Sequence, residues 1–87
     1  MKNFNFFNLS CTISHDCEFG NYNFFNSGVN LSGGTEVENE VLVGTGDQVL
    51  QYLKIEEKSI IGAGSFVTKN VDKNSTYVGI PARKIEK

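Results

Sequence analysis

One position in every six is apolar from near the start of the chain to residue 67: Phe7, Ile13, Phe19, Phe25, Leu31, Val37, Val43, Val49, Ile55, Ile61 and Val67. With 39% of residues hydrophobic, such a run in any of the six phases arises by chance on the order of once in several thousand sequences. The beat is too slow for an amphipathic helix and too regular for ordinary strands, which alternate in twos and stop at turns. Two residues ahead of each apolar position runs a second, mostly small column: Asn5, Cys11, Cys17, Asn23, Val29, Thr35, Val41, Asp47, Leu53, Ser59 and Ser65. Positions two apart on an extended segment share a face, so both columns point to one interior. The residue just after the aliphatic is often Gly, Ser, Asn or Glu (Ser14, Gly20, Asn26, Ser32, Glu38, Gly44), types that suit the positive φ of a sharp corner.

Short strands joined by tight corners, three to a coil, predict an all-β parallel β-helix of hexapeptide repeats with about four coils. The regular part spans 1–70 with Gly44–Asp47 as one of its corners. The segment 71–87 reads as a C-terminal extension, with a last strand through Tyr77, Val78 and Ile80 and a short helix opened by Pro81. Each coil of such a solenoid buries its face only against its neighbours, so ends and flat sides call for caps or lateral partners.

At 87 residues a conventional core would be marginal, and the net charge of −2 supplies no basic field for nucleic acid or an anionic membrane. No stretch approaches the length of a spanning helix, and asparagines interrupt the apolar start, so the cytoplasm is the expected compartment, with Cys11 and Cys17 as reduced thiols. The aromatics of 21–28 would suit base stacking, but Phe25 belongs to the interior and no basic groove accompanies them. Tyr22 and Phe24 read instead as packing against a neighbouring subunit. Glu36, Glu38 and Glu40 read as a solvated face rather than a cation site.

The lone histidine, His15, sits with Asp16 two and three residues after Ile13, at a corner, whereas Cys11 and Cys17 belong to the inward column. A zinc site needs three or four converging ligands, so no metal is expected. A Cys–His nucleophile needs a thiolate within reach of the imidazole, which inward cysteines do not supply. An imidazole is also suited to taking a proton from an amine or hydroxyl as it attacks a thioester.

The blocks SIIGAGSFVTKNV (59–71) and STYVGIPARKI (75–85) resemble the C-terminal region of bacterial hexapeptide-repeat acyltransferases. ISHDCEFGNY (13–22) narrows the resemblance to the sialic acid O-acetyltransferases and their relatives that N-acetylate UDP-linked amino sugars. The resemblance implies a left-handed β-helix, a homotrimer with its site between subunits, acetyl-CoA as acyl donor, and a small-molecule sugar acceptor. It implies His15 as general base and Asp16 as its supporting carboxylate. Asn8 falls on the substrate side, and Phe24, Thr45, Gly62 and Ala63 on the cofactor strip. Lys69, Lys73, Arg83 and Lys84 make a basic C-terminal end that either meets coenzyme A phosphates or is a solvated tail. Two departures stand out: Phe24 replaces a second histidine, and VLQYL (49–53) replaces a proline-containing turn. The N-terminal nucleotide-sugar domain that usually accompanies the family is not in these 87 residues. A catalytically silent β-helix module that trimerises or covers a partner is the competing expectation.

Overall fold

The computed structural model describes residues 4–85 and turns the six-residue beat into a parallel β-solenoid of about four coils. Eleven two-residue strands come first: β1 (Phe6–Phe7), β2 (Thr12–Ile13), β3 (Glu18–Phe19), β4 (Phe24–Phe25), β5 (Asn30–Leu31), β6 (Glu36–Val37), β7 (Leu42–Val43), β8 (Gln48–Val49), β9 (Lys54–Ile55), β10 (Ile60–Ile61) and β11 (Phe66–Val67). β12 (Thr76–Gly79) and β13 (Ala82–Lys84) follow. Every third strand stacks on the same face, β1-β4-β7-β10, β2-β5-β8-β11 and β3-β6-β9.

In β3 to β11 the second residue is buried, so Phe19, Phe25, Leu31, Val37, Val43, Val49, Ile55, Ile61 and Val67 fill the core, whereas Phe7 is partly covered and Ile13, expected inside, is exposed in the first coil. The first residue points out and gives each face its character. β1, β4, β7 and β10 present Phe6, Phe24, Leu42 and Ile60, all exposed, which makes an apolar face. β2, β5 and β8 present Thr12, Asn30 and Gln48, with an Asn30–Gln48 side-chain hydrogen bond at 3.0 Å, and form an amide face that ends in the half-buried Phe66 of β11. β3, β6 and β9 present Glu18, Glu36 and Lys54, the charged face. There Lys54 pairs with Glu38 at 3.3 Å, and that carboxylate raises the ammonium's pKa.

The small inward column behaves as its composition suggests. Buried Asn23 accepts the Val41 N–H at 2.8 Å and donates to the Glu38 carbonyl at 2.7 Å, bridging rungs 18 residues apart. Thr35, Ser59 and Ser65 hydroxyls donate to carbonyls three residues back. Among the described residues no buried side-chain polar atom lacks a partner, which is what a narrow polar-lined corner requires. Cys11 and Cys17 are both free thiols whose Sγ atoms lie against the Asn26 and Ser32 carbonyls at 3.1 and 3.4 Å.

Two expectations are corrected. Positive φ falls not beside the aliphatic but three residues after it, at Ser10, Asp16, Tyr22, Gly28, Gly34, Glu40, Gly46, Tyr52, Lys58 and Gly64. The small residues that directly follow the aliphatic answer to close rung spacing instead: a Cβ on Gly44 would lie 2.6 Å from the Ala63 backbone nitrogen. The C-terminal end holds no helix among the described residues. β12 and β13 pair antiparallel, Tyr77 opposite Lys84 and Gly79 opposite Ala82, with Pro81 in the turn. The segment after Pro81 is too short to repay helix nucleation, and the sheet edge at β12 offers backbone partners at once. Glu86 and Lys87, the end of the expected helix, lie outside the described residues.

The inward beat also outlasts Val67. Val71 is fully buried and bridges Ile55, closing the fourth coil two residues early, so that Ile60 pairs with Thr76. Asn70 repairs the shortened corner, its side-chain oxygen accepting the Lys54 N–H at 2.8 Å.

Candidate active site on two edges of the solenoid

The expected site residues divide between two edges and a face. His15 and Asp16 stand on the edge between the amide and charged faces, in the first coil. Asp16 adopts φ +64°, a conformation that short polar side chains tolerate, so the corner itself gives a reason for an Asp there. Both side chains project into solvent, 90% and 84% exposed, with His15 Nε2 and Asp16 Oδ2 4.0 Å apart. That separation is longer than a hydrogen bond. Above them the Gly34 N–H donates to the His15 carbonyl at 3.3 Å, and the Tyr52 N–H donates to the Gly33 carbonyl at 3.0 Å. One edge thus carries, rung by rung, His15–Asp16, Gly33–Gly34, Gln51–Tyr52 and Lys69–Asn70.

Asn8, Thr45, Gly62 and Ala63 gather on the other edge, between the apolar and amide faces. Asn8 accepts the Leu9 N–H through its side chain at 3.0 Å. Thr45 and Ala63 are exposed, and the Thr45 carbonyl accepts the Gly64 N–H at 2.8 Å. Gly62 has a packing reason of its own, since a Cβ there would come within 3.0 Å of Val78. Phe24 belongs to neither edge; it points out from β4 on the apolar face, its ring 5.3 Å from Phe6. Tyr22, on a third edge, stacks on Phe4 at 5.4 Å.

Two features escaped the sequence reading. Asp47 is fully buried beneath the Thr45 corner, its carboxylate accepting the Gly44 N–H at 2.8 Å and the Ser65 N–H at 2.7 Å. Desolvation pushes its pKa up to about 6, against the pull of those two N–H groups. Its place in the inward column was the available signal. The second is a notch beneath the C-terminal hairpin, lined by Thr68, Lys69, Asn70, Arg83 and Lys84 among others. Of the four basic residues singled out earlier, three line it; Lys73 does not, and Lys84 also pairs with Asp72 at 3.6 Å. Among the described residues no three His, Cys, Asp or Glu side chains converge to hold a metal ion, and no helix is long and apolar enough to cross a membrane.

An all-β prism with exposed polar edges is the architecture of the left-handed parallel β-helix, and this chain folds as one. It superposes on UDP-N-acetylglucosamine O-acyltransferase (LpxA) of Moraxella catarrhalis with TM-score 0.96 and 28% identity, over 98% of this chain and 33% of that one. The acetyltransferase domain of PglB from Neisseria gonorrhoeae matches with TM-score 0.91 and 27% identity, over 93% of this chain and 40% of that one. Soybean serine acetyltransferase matches with TM-score 0.87 and 30% identity, over 93% and 38%. These neighbours are acyltransferases, and the chain spans between a third and two fifths of their lengths. No protein-family model matches the chain, and no curated protein matches it in sequence.

Proposed function

We propose that the chain is the β-helix portion of an acetyl-CoA-dependent acetyltransferase that modifies an amine or hydroxyl of a sugar, with His15 as general base. The observation that carries this reading is a single exposed imidazole on the edge of a solenoid whose structural neighbours transfer acyl groups. In the proposed reaction the acceptor nitrogen or oxygen attacks the thioester carbonyl while its proton passes to His15. The C–S bond then breaks, and coenzyme A leaves as the thiolate that takes up the proton. Backbone N–H groups would meet the developing oxyanion. The resemblance of 13–22 to sialic acid O-acetyltransferases favours a nucleotide-linked or acidic sugar over serine as acceptor.

His15 and the Thr45–Ala63 strip lie on different edges of one protomer, so the proposed site is shared between copies of a trimer. The apolar face, with Phe6, Phe24, Leu42 and Ile60 exposed, supports that assembly. The notch at Lys69 and Arg83 suits the donor's phosphates, and use of acetyl-CoA places the reaction in the cytoplasm. Asp16 acts through the field of its carboxylate. Thiol release from acetyl-CoA, assayed with a panel of amino sugars and sialic acids, tests the reading: His15→Ala is expected to lower the rate by about 10²–10⁴-fold. A rate that survives the change excludes His15 as the base, whereas wild-type protein that releases no thiol with any acceptor of the panel leaves the β-helix a structural module.

A further inference from the structure

We propose that Tyr52 is the platform on which a pyranose acceptor stacks beside His15, a role that rests on the transferase reading and names its acceptor class. His15, Gly33–Gly34 and Tyr52 occupy successive rungs of one edge, tied by the His15–Gly34 and Gly33–Tyr52 backbone hydrogen bonds. The Tyr52 backbone is left-handed, φ +59°, and its ring folds down onto the rung below: a Cβ built on Gly34 would meet the ring carbons of Tyr52. That glycine therefore makes room for the ring. The aromatic surface lies one rung, about 4.8 Å, above the level of His15 although its own backbone is two rungs away. Tyr52 is nonetheless 76% exposed, so it covers no core and its outer surface is open on the edge that carries the imidazole.

A ring lying on glycine, with its remaining surface in water on the edge that carries a candidate base, suits the apolar C–H face of a hexopyranose, which an aromatic π-system attracts. A sugar hydroxyl or amine one bond off that ring would then reach His15. A small amino-acid acceptor has no such face and gains nothing from the platform. Tyr52 is in this sense a positioning residue, and it acts on acceptor binding rather than on the donor.

The test is saturation-transfer NMR on the 87-residue chain with methyl glycosides of glucosamine and galactosamine, alongside thiol-release kinetics. Tyr52→Phe keeps the ring and is expected to bind as the wild type does. Tyr52→Asn, whose side chain suits the left-handed corner, is expected to weaken binding about tenfold and to raise the acceptor KM while leaving the acetyl-CoA KM unchanged. Equal glycoside binding by Tyr52→Asn, or glycosides that leave the Tyr52 ring resonances unmoved, overturns the platform. Glycosides that shift Tyr52 without any thiol release uphold the platform and remove the transferase reading.

Discussion

The edge carrying His15 and the edge carrying Thr45 and Ala63 share one backbone path and one 18-residue register, yet they are held together differently. At the Thr45 edge a buried carboxylate ties two rungs. Asp47 accepts the Gly44 N–H on its own rung and the Ser65 N–H on the next, and Gly44 packs closely against Ala63. At the His15 edge the inter-rung side-chain bonds come from uncharged groups, Cys17 to Ser32, Thr35 to Leu50 and Asn70 to the Lys54 N–H, while His15, Asp16 and Tyr52 are left in water. Polar groups committed to a buried corner are unavailable for chemistry; those left outside contribute little to stability and are free to bind and react. The comparison separates an edge with a buried carboxylate from one whose titratable side chains stand in water.

The largest expected effect falls on the tied edge. Gly44→Val drives a side chain into the Ala63 backbone and is expected to cost at least about 3 kcal/mol in urea unfolding, whereas His15→Ala is expected to change stability by less than about 0.5 kcal/mol. Equal costs would dissolve the distinction between the edges.

The Asp47 carboxyl comes next. Its folded pKa of about 6 lies above the ordinary 3.8, so folding takes up a proton between those values. Stability from this group is fully present below 3.8, is lost as pH rises through 6, and is flat above; the difference is at most about 3 kcal/mol. Melting from pH 7.5 down to pH 4 should therefore show a stabilisation that Asp47→Asn lacks. A wild type and an Asp47→Asn variant with parallel pH profiles would contradict the buried-charge account.

The faces are distinguished by charge insertion. Leu42→Lys on the apolar face is expected to weaken the proposed trimer by about 2 kcal/mol, read as dissociation in light scattering, while Gln48→Lys on the amide face leaves its mass unchanged. A wild-type chain that runs as a monomer would remove the shared site. Smallest of all, Asp16→Asn keeps the left-handed corner and loses only an exposed charge, so transfer should fall by less than about tenfold.

Much of this was legible in the residues. The inward aliphatics and the small column behind them could be assigned because each fills a fixed place in every rung, and a one-residue slip would turn it outward. His15 at a corner with Cys11 and Cys17 inside followed from the same count. The left-handed position did not, because Gly, Asp, Tyr, Glu and Lys all occupy it; the glycines at Gly20 and Gly44, which attract notice, serve rung spacing instead. The hairpin at 76–84 was missed because Pro81 suits the start of a helix as well as it suits a turn. Tyr52 escaped because the lean of a ring onto the glycine one rung below depends on side-chain direction, which spacing along the chain does not encode.

Subunit complementation probes the proposed shared site most directly. His15→Ala and Ala63→Phe chains, each inactive in thiol release, are unfolded together in equal amounts and refolded into mixed trimers. If one copy supplies the base and its neighbour the donor strip, about a quarter of the junctions pair two intact edges, and about a quarter of wild-type activity returns. A mixture no more active than either variant alone would contradict a site made from two edges of two chains.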